Sequence, residues 1–165
     1  RKYSAEQYLT LIEKIRKRIP DIALSTDIIV GFPGETEQDF ADTLALVKQV
    51  RYDMAFTFIY SKRKGTPAAQ YEDQVPAEVV KERFARLVQL QDGIDREINE
   101  TYVGRTVTVL AEGRSRTNPE KYTGRTESNK IVNFTCDRDV AGTFVPVRIE
   151  EAATWSLSGA AEEKE

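Results

Sequence analysis

Histidine is absent from the 165 residues, and cysteine, methionine and tryptophan occur once each. Without an imidazole the chain has no Ser-His-Asp triad and no histidine acid–base chemistry, which removes most hydrolase readings. The lone Cys136 excludes an internal disulfide and cannot by itself hold a zinc ion or an iron–sulfur cluster. No catalytic and no metal-binding residue is therefore expected within the chain. No apolar run approaches the ~20 residues of a membrane span, nor is there the core of a signal peptide, so a cytoplasmic protein without a membrane partner is expected. The sequence opens Arg1-Lys2-Tyr3 without Met, which suggests a piece of a longer protein.

Strong net charge is also missing. The balance of -3 averages unlike segments: Arg105 to Lys130 has six basic residues against three acidic ones, and Glu150 to Glu165 has five acids against one Lys. The basic segment is the one that points to a polyanionic partner.

What is present is organised around Ser25-Thr-Asp27-Ile-Ile29-Val30-Gly31-Phe-Pro-Gly34-Glu35-Thr36. Ile22 to Val30 has the length and aliphatic content of a buried strand, and Pro33-Gly34 suits the central pair of a type II turn. Thr36 and Asp39 form an N-terminal cap, with Phe40, Thr43, Leu44 and Val47 at helical spacing behind them. Upstream, Ser4 and Gln7 make a capping box for a helix whose stripe is Tyr8, Leu11, Ile12, Ile15 and Ile19, ended by Pro20. Downstream, Asp53 to Tyr60 reads as a second buried strand. Two strands joined by one helix are parallel, so their ends at Gly31 and Tyr60 open on one face, where such units bind ligands. The loop after Tyr60 carries Lys62, Arg63 and Lys64, either a clamp for an anion or an ordinary basic surface loop. Pro76 starts a long helix with Val80, Phe84, Leu87, Gln91, Ile94 and Ile98 on one stripe.

From Val103 the pattern changes to short strands: Thr106 to Leu110, Glu112 to Thr117, Lys121 to Thr126, Ile131 to Thr135 and Thr143 to Ile149. Five of them suggest a small all-β Greek-key barrel of the OB type, a fold that often binds RNA. Arg114, Arg116, Lys121, Tyr122, Arg125, Asn129, Lys130 and Phe134 interleave cations with aromatics, the mix used for phosphate contact and base stacking; a solvated barrel with those aromatics in its core is the alternative. The segment after Ser158 reads as a frayed acidic tail.

Gly31 to Thr36 matches neither the Walker loop nor the dinucleotide fingerprint. Asp27 interrupts an apolar strand, so it is either tied structurally or turned toward a polar cavity. Glu35 beside a helix start is accounted for by the helix dipole.

The stretch Ser25 to Thr36 with Asp39-Phe40, Asp53 to Ser61 and Gly65-Thr-Pro-Ala-Ala69 resembles the C-terminal half of the radical S-adenosylmethionine domain of methylthiotransferases. Val103-Gly104, Glu112-Gly113, Gly124-Arg125-Thr126, Asn129, Val132-Asn-Phe134 and Ser156-Leu-Ser-Gly159 resemble the TRAM domain those enzymes carry, and Gly-Arg-Thr-x-x-Asn is similar to its MiaB-type branch. The resemblance implies an α/β piece of a partial TIM-like barrel (1–99), a TRAM RNA-binding β-barrel (100–159) and an acidic tail (160–165). It also implies S-adenosylmethionine and [4Fe–4S] clusters as cofactors, the cluster ligands lying outside this chain, which alone would be inactive. Ile29 and Val30 would pack on the adenine with the Tyr60-Ser61 backbone at its edge, Asp27 and Gly31 beside them, and Thr126 would join the RNA-binding set. Lys62 and Lys64 stand where the family is expected to carry prolines.

The implied activity converts isopentenyladenosine next to the tRNA anticodon to its 2-methylthio derivative, through a deoxyadenosyl radical that abstracts hydrogen from adenine C2. The partners implied are the tRNA anticodon stem-loop and the N-terminal remainder of the same enzyme. Two alternatives remain: a related methylthiotransferase acting on another tRNA adenosine or on a ribosomal protein, and a non-catalytic RNA-binding module.

Overall fold

A computed structural model describes residues 3–162 and divides into two compact units, Arg1–Ile94 and Asp95–Glu165, the division falling within a long helix.

In the first unit, α1 (Ala5–Arg18) begins at the expected capping box, with Gln7 N–H donating to Ser4 Oγ and Ser4 N–H to Gln7 Oε1. Of its apolar stripe only Ile12 is buried; Leu11 and Ile19 are exposed. α2 (Glu37–Val50) starts at the second box, Thr36 with Asp39, and buries Phe40, Val47 and Val50. Between them, β1 (Ser25–Val30) pairs in parallel with β2 (Met54–Ile59), in register from Ser25↔Met54 to Val30↔Ile59. Asp53 fixes that register from below, its carboxylate accepting from Leu24 N–H and its own N–H donating to Leu24 O, both at 2.8 Å. α3 (Ala77–Glu100) follows Pro76 and buries Val80, Leu87, Gln91 and Ile94, together with Arg83 and Asn99.

The second unit is a closed barrel of five strands, β3 (Thr106–Arg114), β4 (Tyr122–Thr126), β5 (Ile131–Thr135), β6 (Phe144–Ala152) and β7 (Leu157–Ala161), ordered β3-β4-β5-β7-β6. Five strands were expected, but not these five. Glu112 to Thr117 is not a strand of its own: β3 runs on through a bulge at Gly113, where the extra residue shifts the register against β4. The fifth strand is Leu157–Ala161, which runs into the segment after Ser158 expected to fray, and it pairs with both β5 and β6. Its small residues are what admit it: a Cβ on Gly159 would fall on the carbonyl of Arg148. Residues 163–165 of the expected acidic tail lie outside the described residues. Val109, Ala111, Tyr122, Val132, Phe134, Val145, Val147, Ile149 and Leu157 fill the barrel. Among the described residues no helix is long and apolar enough to cross a membrane.

Candidate functional site

The loop that closes β1 is held by its own turn and by one buried arginine. Glu35 N–H donates to Phe32 O at 2.9 Å, with Gly34 at φ 82°, the geometry expected of Pro33-Gly34 at the centre of a type II turn. Gly31 sits at φ 78°, and a Cβ there would lie 2.5 Å from Val80 Cγ2, so glycine is required for both conformation and space. Glu35 Oε1 accepts from Gly31 N–H (3.1 Å) and from Arg83 Nη1 (2.9 Å), while the same Nη1 reaches Glu35 O (2.9 Å) and Arg83 Nε reaches Glu37 Oε2 (3.2 Å). Arg83 is only 5% exposed. Glu35 therefore does more than offset a helix dipole: it joins the end of β1 to α3. Sequence reasoning missed Arg83, although its position, three residues after Val80 and four before Leu87, places it on the buried stripe.

Arg86 extends the cluster. Its hydrogen bond to Glu37 holds that carboxyl below the usual carboxylate range against an opposing effect of burial, with a smaller share from Arg83. Asp39 is likewise lowered, by the Thr36 hydroxyl and then by the Thr36 N–H. Both carboxylates favour the fold above their ordinary pKa and lose that contribution as pH falls through the lowered values. Arg86→Ala is expected to move the Glu37 titration midpoint upward toward the ordinary value, a shift read by side-chain carboxyl NMR; an unmoved midpoint would contradict this source.

Strand periodicity divides the residues expected to hold the cofactor. Ile29 is 54% exposed and Val30 1% exposed, because neighbours along a strand point to opposite faces. Val30 packs inward and cannot share a ligand with Ile29, which corrects the expectation that both line one surface. Asp27 is exposed rather than buried, on the same face as Ile29 and opposite Phe56 in the β1–β2 register. That face also carries Phe58, the partner of Ile29; Phe56 and Phe58 are both half exposed and were not recognised as candidate contacts. Tyr60 N–H donates to Val30 O at 2.8 Å, so of the backbone expected at an adenine edge this donor is taken, and Ser61, exposed, follows it. The Tyr60 ring meets Phe32 edge-on at 5.3 Å, and its hydroxyl is buried without a hydrogen-bond partner among the described residues. Two strand ends thus lie side by side above an exposed apolar ledge of Ile29, Phe56 and Phe58 bordered by Asp27. Lys62, Arg63 and Lys64 are exposed on the following loop. A separate cleft of about 280 Å³ lies between α1, α2 and β1, where the hydroxyls of Tyr8 and Tyr52 meet at 2.8 Å; burial, then this bond, pushes the Tyr52 phenol up. Among the described residues no group of acids and cysteine is placed to hold a metal ion.

In the barrel the expected RNA-binding set divides by face. Tyr122 and Phe134 are Cα partners on β4 and β5, stack on each other at 5.9 Å and are fully buried, so neither offers a face to a base. Thr126 and Lys130 are also buried, and the Thr126 hydroxyl accepts from Lys130 N–H; Tyr122, Thr126 and Phe134 belong to the interior because they alternate with outward residues along short strands, whereas Lys130 lies in the turn between β4 and β5. Arg114 lies beyond the bulge, its guanidinium 4.0 Å from the centroid of the Tyr122 ring, and covers the barrel end. Arg116 is exposed. Arg125 points outward, bonded through Nε to Glu112 (3.3 Å) and through Nη1 to Asn129 Oδ1 (3.0 Å), with Asn129 at φ 63° in the turn that follows. Beside them, an open depression of about 420 Å³ is floored by Thr123 and Asn133 and walled by Glu112, Arg114 and Arg116. Arg116, Arg125 and Asn129 are thus the surface remnant of the expected set, with Arg114 at its rim.

Residues 100–161 match the TRAM domain and residues 1–47 the Radical SAM superfamily. The chain is similar over 96% of its length to proteins named tRNA-2-methylthio-N(6)-dimethylallyladenosine synthase: 59% identical to that of Acetivibrio thermocellus, 55% to that of Clostridium botulinum strain Langeland and 52% to that of Alkaliphilus oremlandii. It covers 33%, 35% and 34% of those proteins, about a third of the length of the curated relatives it matches.

Proposed function

We propose, from the chain's similarity to the TRAM domain, the Radical SAM superfamily and the named synthases, that it supplies part of the cofactor pocket and the RNA grip of a tRNA adenosine methylthiotransferase. The observation that carries this is the exposed apolar ledge at paired parallel strand ends, next in sequence to a closed barrel that presents Arg114, Arg116 and Arg125 on its outside. Helices on one face of β1–β2 and exposed aromatics on the other suit an open piece of a TIM-like barrel, which we place at 1–99 with the RNA-binding barrel at 100–159. Its partners on this reading are the anticodon stem-loop of tRNA and the rest of the same enzyme, in the cytoplasm.

Ile29 and Phe58 would support the adenine of S-adenosylmethionine from below, and the Arg83-Glu35 pair would hold the turn at its edge. Bound there, the cofactor supplies the hydrogen-abstracting radical and the methyl group. The cluster that cleaves it does not fit this chain, whose one cysteine lies on the barrel unit. The substrate, by analogy with the named relatives, is an isopentenylated adenosine beside the anticodon.

A chimera tests this. Exchanging this chain for the corresponding third of the Acetivibrio thermocellus protein is expected to retain 2-methylthio modification of tRNA in a strain lacking the activity, read by nucleoside mass spectrometry. Ile29→Lys in the chimera is expected to abolish it. A chimera that is folded and carries its clusters but leaves tRNA unmodified would overturn the proposal. For the grip, Arg116→Ala with Arg125→Ala should weaken binding of the chain to a stem-loop and reduce the slope of log affinity against log salt by about 1 to 2, since each lost phosphate contact removes ~0.7 to 0.9. An unchanged slope would reject this placement.

A further inference from the structure

Base stacking was expected of Tyr122 and Phe134, and both are buried. A different ring is in position. Phe144, at the start of β6, is 70% exposed, and no aromatic ring or cation among the described residues lies against it. Its Cα partner on β3 is Leu110, and the Cα partner of Leu110 on β4 is Arg125. Residues directly opposite one another in antiparallel strands point to the same face, so Arg125, Leu110 and Phe144 form one row across the outside of the barrel. Their inward neighbours Thr126, Val109 and Val145 are all buried, which fixes the sense of the row. Two strand spacings separate Arg125 from Phe144, about 10 Å, a distance the arginine side chain shortens.

We infer that Phe144 is the stacking platform of the barrel for an unpaired base of RNA, with Arg125 in the same row on a phosphate and Leu110 as the apolar floor between them. The inference rests on the RNA-binding reading of the barrel and adds the residue that reads a base face. Charge selects the occupant. The row borders the basic segment, with Arg116 and Lys121 nearby in sequence, and the acidic side chain found on Arg125, Glu112, makes a half-exposed pair that a phosphate can displace. A single-stranded nucleotide offers both an apolar face and a negative charge, whereas an apolar protein surface would leave Arg125 without a new partner.

The test uses the 165-residue chain and a single-stranded oligoribonucleotide carrying 2-aminopurine, followed by anisotropy and by quenching. Phe144→Leu, which keeps the bulk and removes the ring, is expected to weaken binding about fivefold or more, to abolish most of the quenching and to leave the salt slope unchanged. Phe144→Trp should bind and quench as the unaltered chain does, and its circular dichroism checks folding. If Phe144→Leu binds and quenches normally while the Arg116/Arg125 double variant still lowers the slope, the stacking assignment is overturned and RNA binding stands. Unaltered RNA binding by every Phe144 variant, with a protein partner lost instead, overturns it too. A chain that binds no RNA at any salt concentration overturns both.

Discussion

Arg83→Ala should destabilise the first unit by about 3 kcal/mol or more, the largest effect expected of any single side chain there. Arg83 is buried, and its guanidinium holds the Glu35 carboxylate, the Glu35 carbonyl and the Glu37 carboxylate at once. Removing it leaves Glu35, whose side chain is 12% exposed, as a charge with one remaining hydrogen bond, from Gly31 N–H. An uncompensated buried charge costs far more than a surface pair contributes. The Gly31–Glu35 turn should then lose its anchor to α3, and amide exchange of Gly31 and Glu35 should rise along with global unfolding. The companion variant discriminates. Arg83→Met with Glu35→Gln removes the charges together and keeps the aliphatic bulk over Phe40, so it should recover part of the loss. Denaturant unfolding followed by NMR signals of α2 checks this, and a single Arg83→Ala as stable as the double variant would show that the pair does not hold the loop.

Gly124→Ala should unfold or severely weaken the barrel, by about 3 kcal/mol, at the top of the usual range for overpacking. Gly124 lies on β4 against β3, and a Cβ there would strike the Leu110 carbonyl and approach Val109 Cγ1 at 2.7 Å. The side chain of Val109 can rotate; the backbone carbonyl belongs to a closed ladder and cannot. Gly142 provides the contrast. It also lies in the second unit, where nothing surrounds the position of an added Cβ, and only its φ of 77° resists substitution. Gly142→Ala should cost about 1 kcal/mol, the usual penalty for a strained backbone. Thermal unfolding of the two variants ranks them, and equal losses would mean that closure at Leu110 is looser than the barrel geometry requires.

The local elements were legible because their signals are short-range. Both capping boxes, the Pro33-Gly34 turn and the parallel pairing of the two strands follow from residues within a few positions of each other or joined by one helix. Features set by distant partners were not legible. The part of β7 after Ser158 looks like a tail because Gly and Ala carry no strand signal, yet small residues are what two flanking strands demand there. The break expected between Leu110 and Glu112 is a bulge within one strand, which only the partner strand reveals. The inward or outward sense of each barrel residue depends on register, and a shift of one position exchanges Tyr122 and Phe134 with their neighbours. Phe144, an exposed ring of the barrel, sits outside the basic segment. In the first unit, Arg83 occupies a stripe position, but its charge finds a reason to be buried only in partners 46 and 48 residues away in sequence.

The division of labour between a cofactor ledge and an RNA grip is tested most directly by hydrogen exchange on the chimera with S-adenosylmethionine and a tRNA stem-loop added separately. S-adenosylmethionine is expected to slow exchange at Gly31 to Glu35 and at Ser61, and the stem-loop to slow it along β3, β4 and the start of β6 at Phe144. Protection of neither segment, or protection of the barrel by the cofactor and of the ledge by RNA, would contradict it.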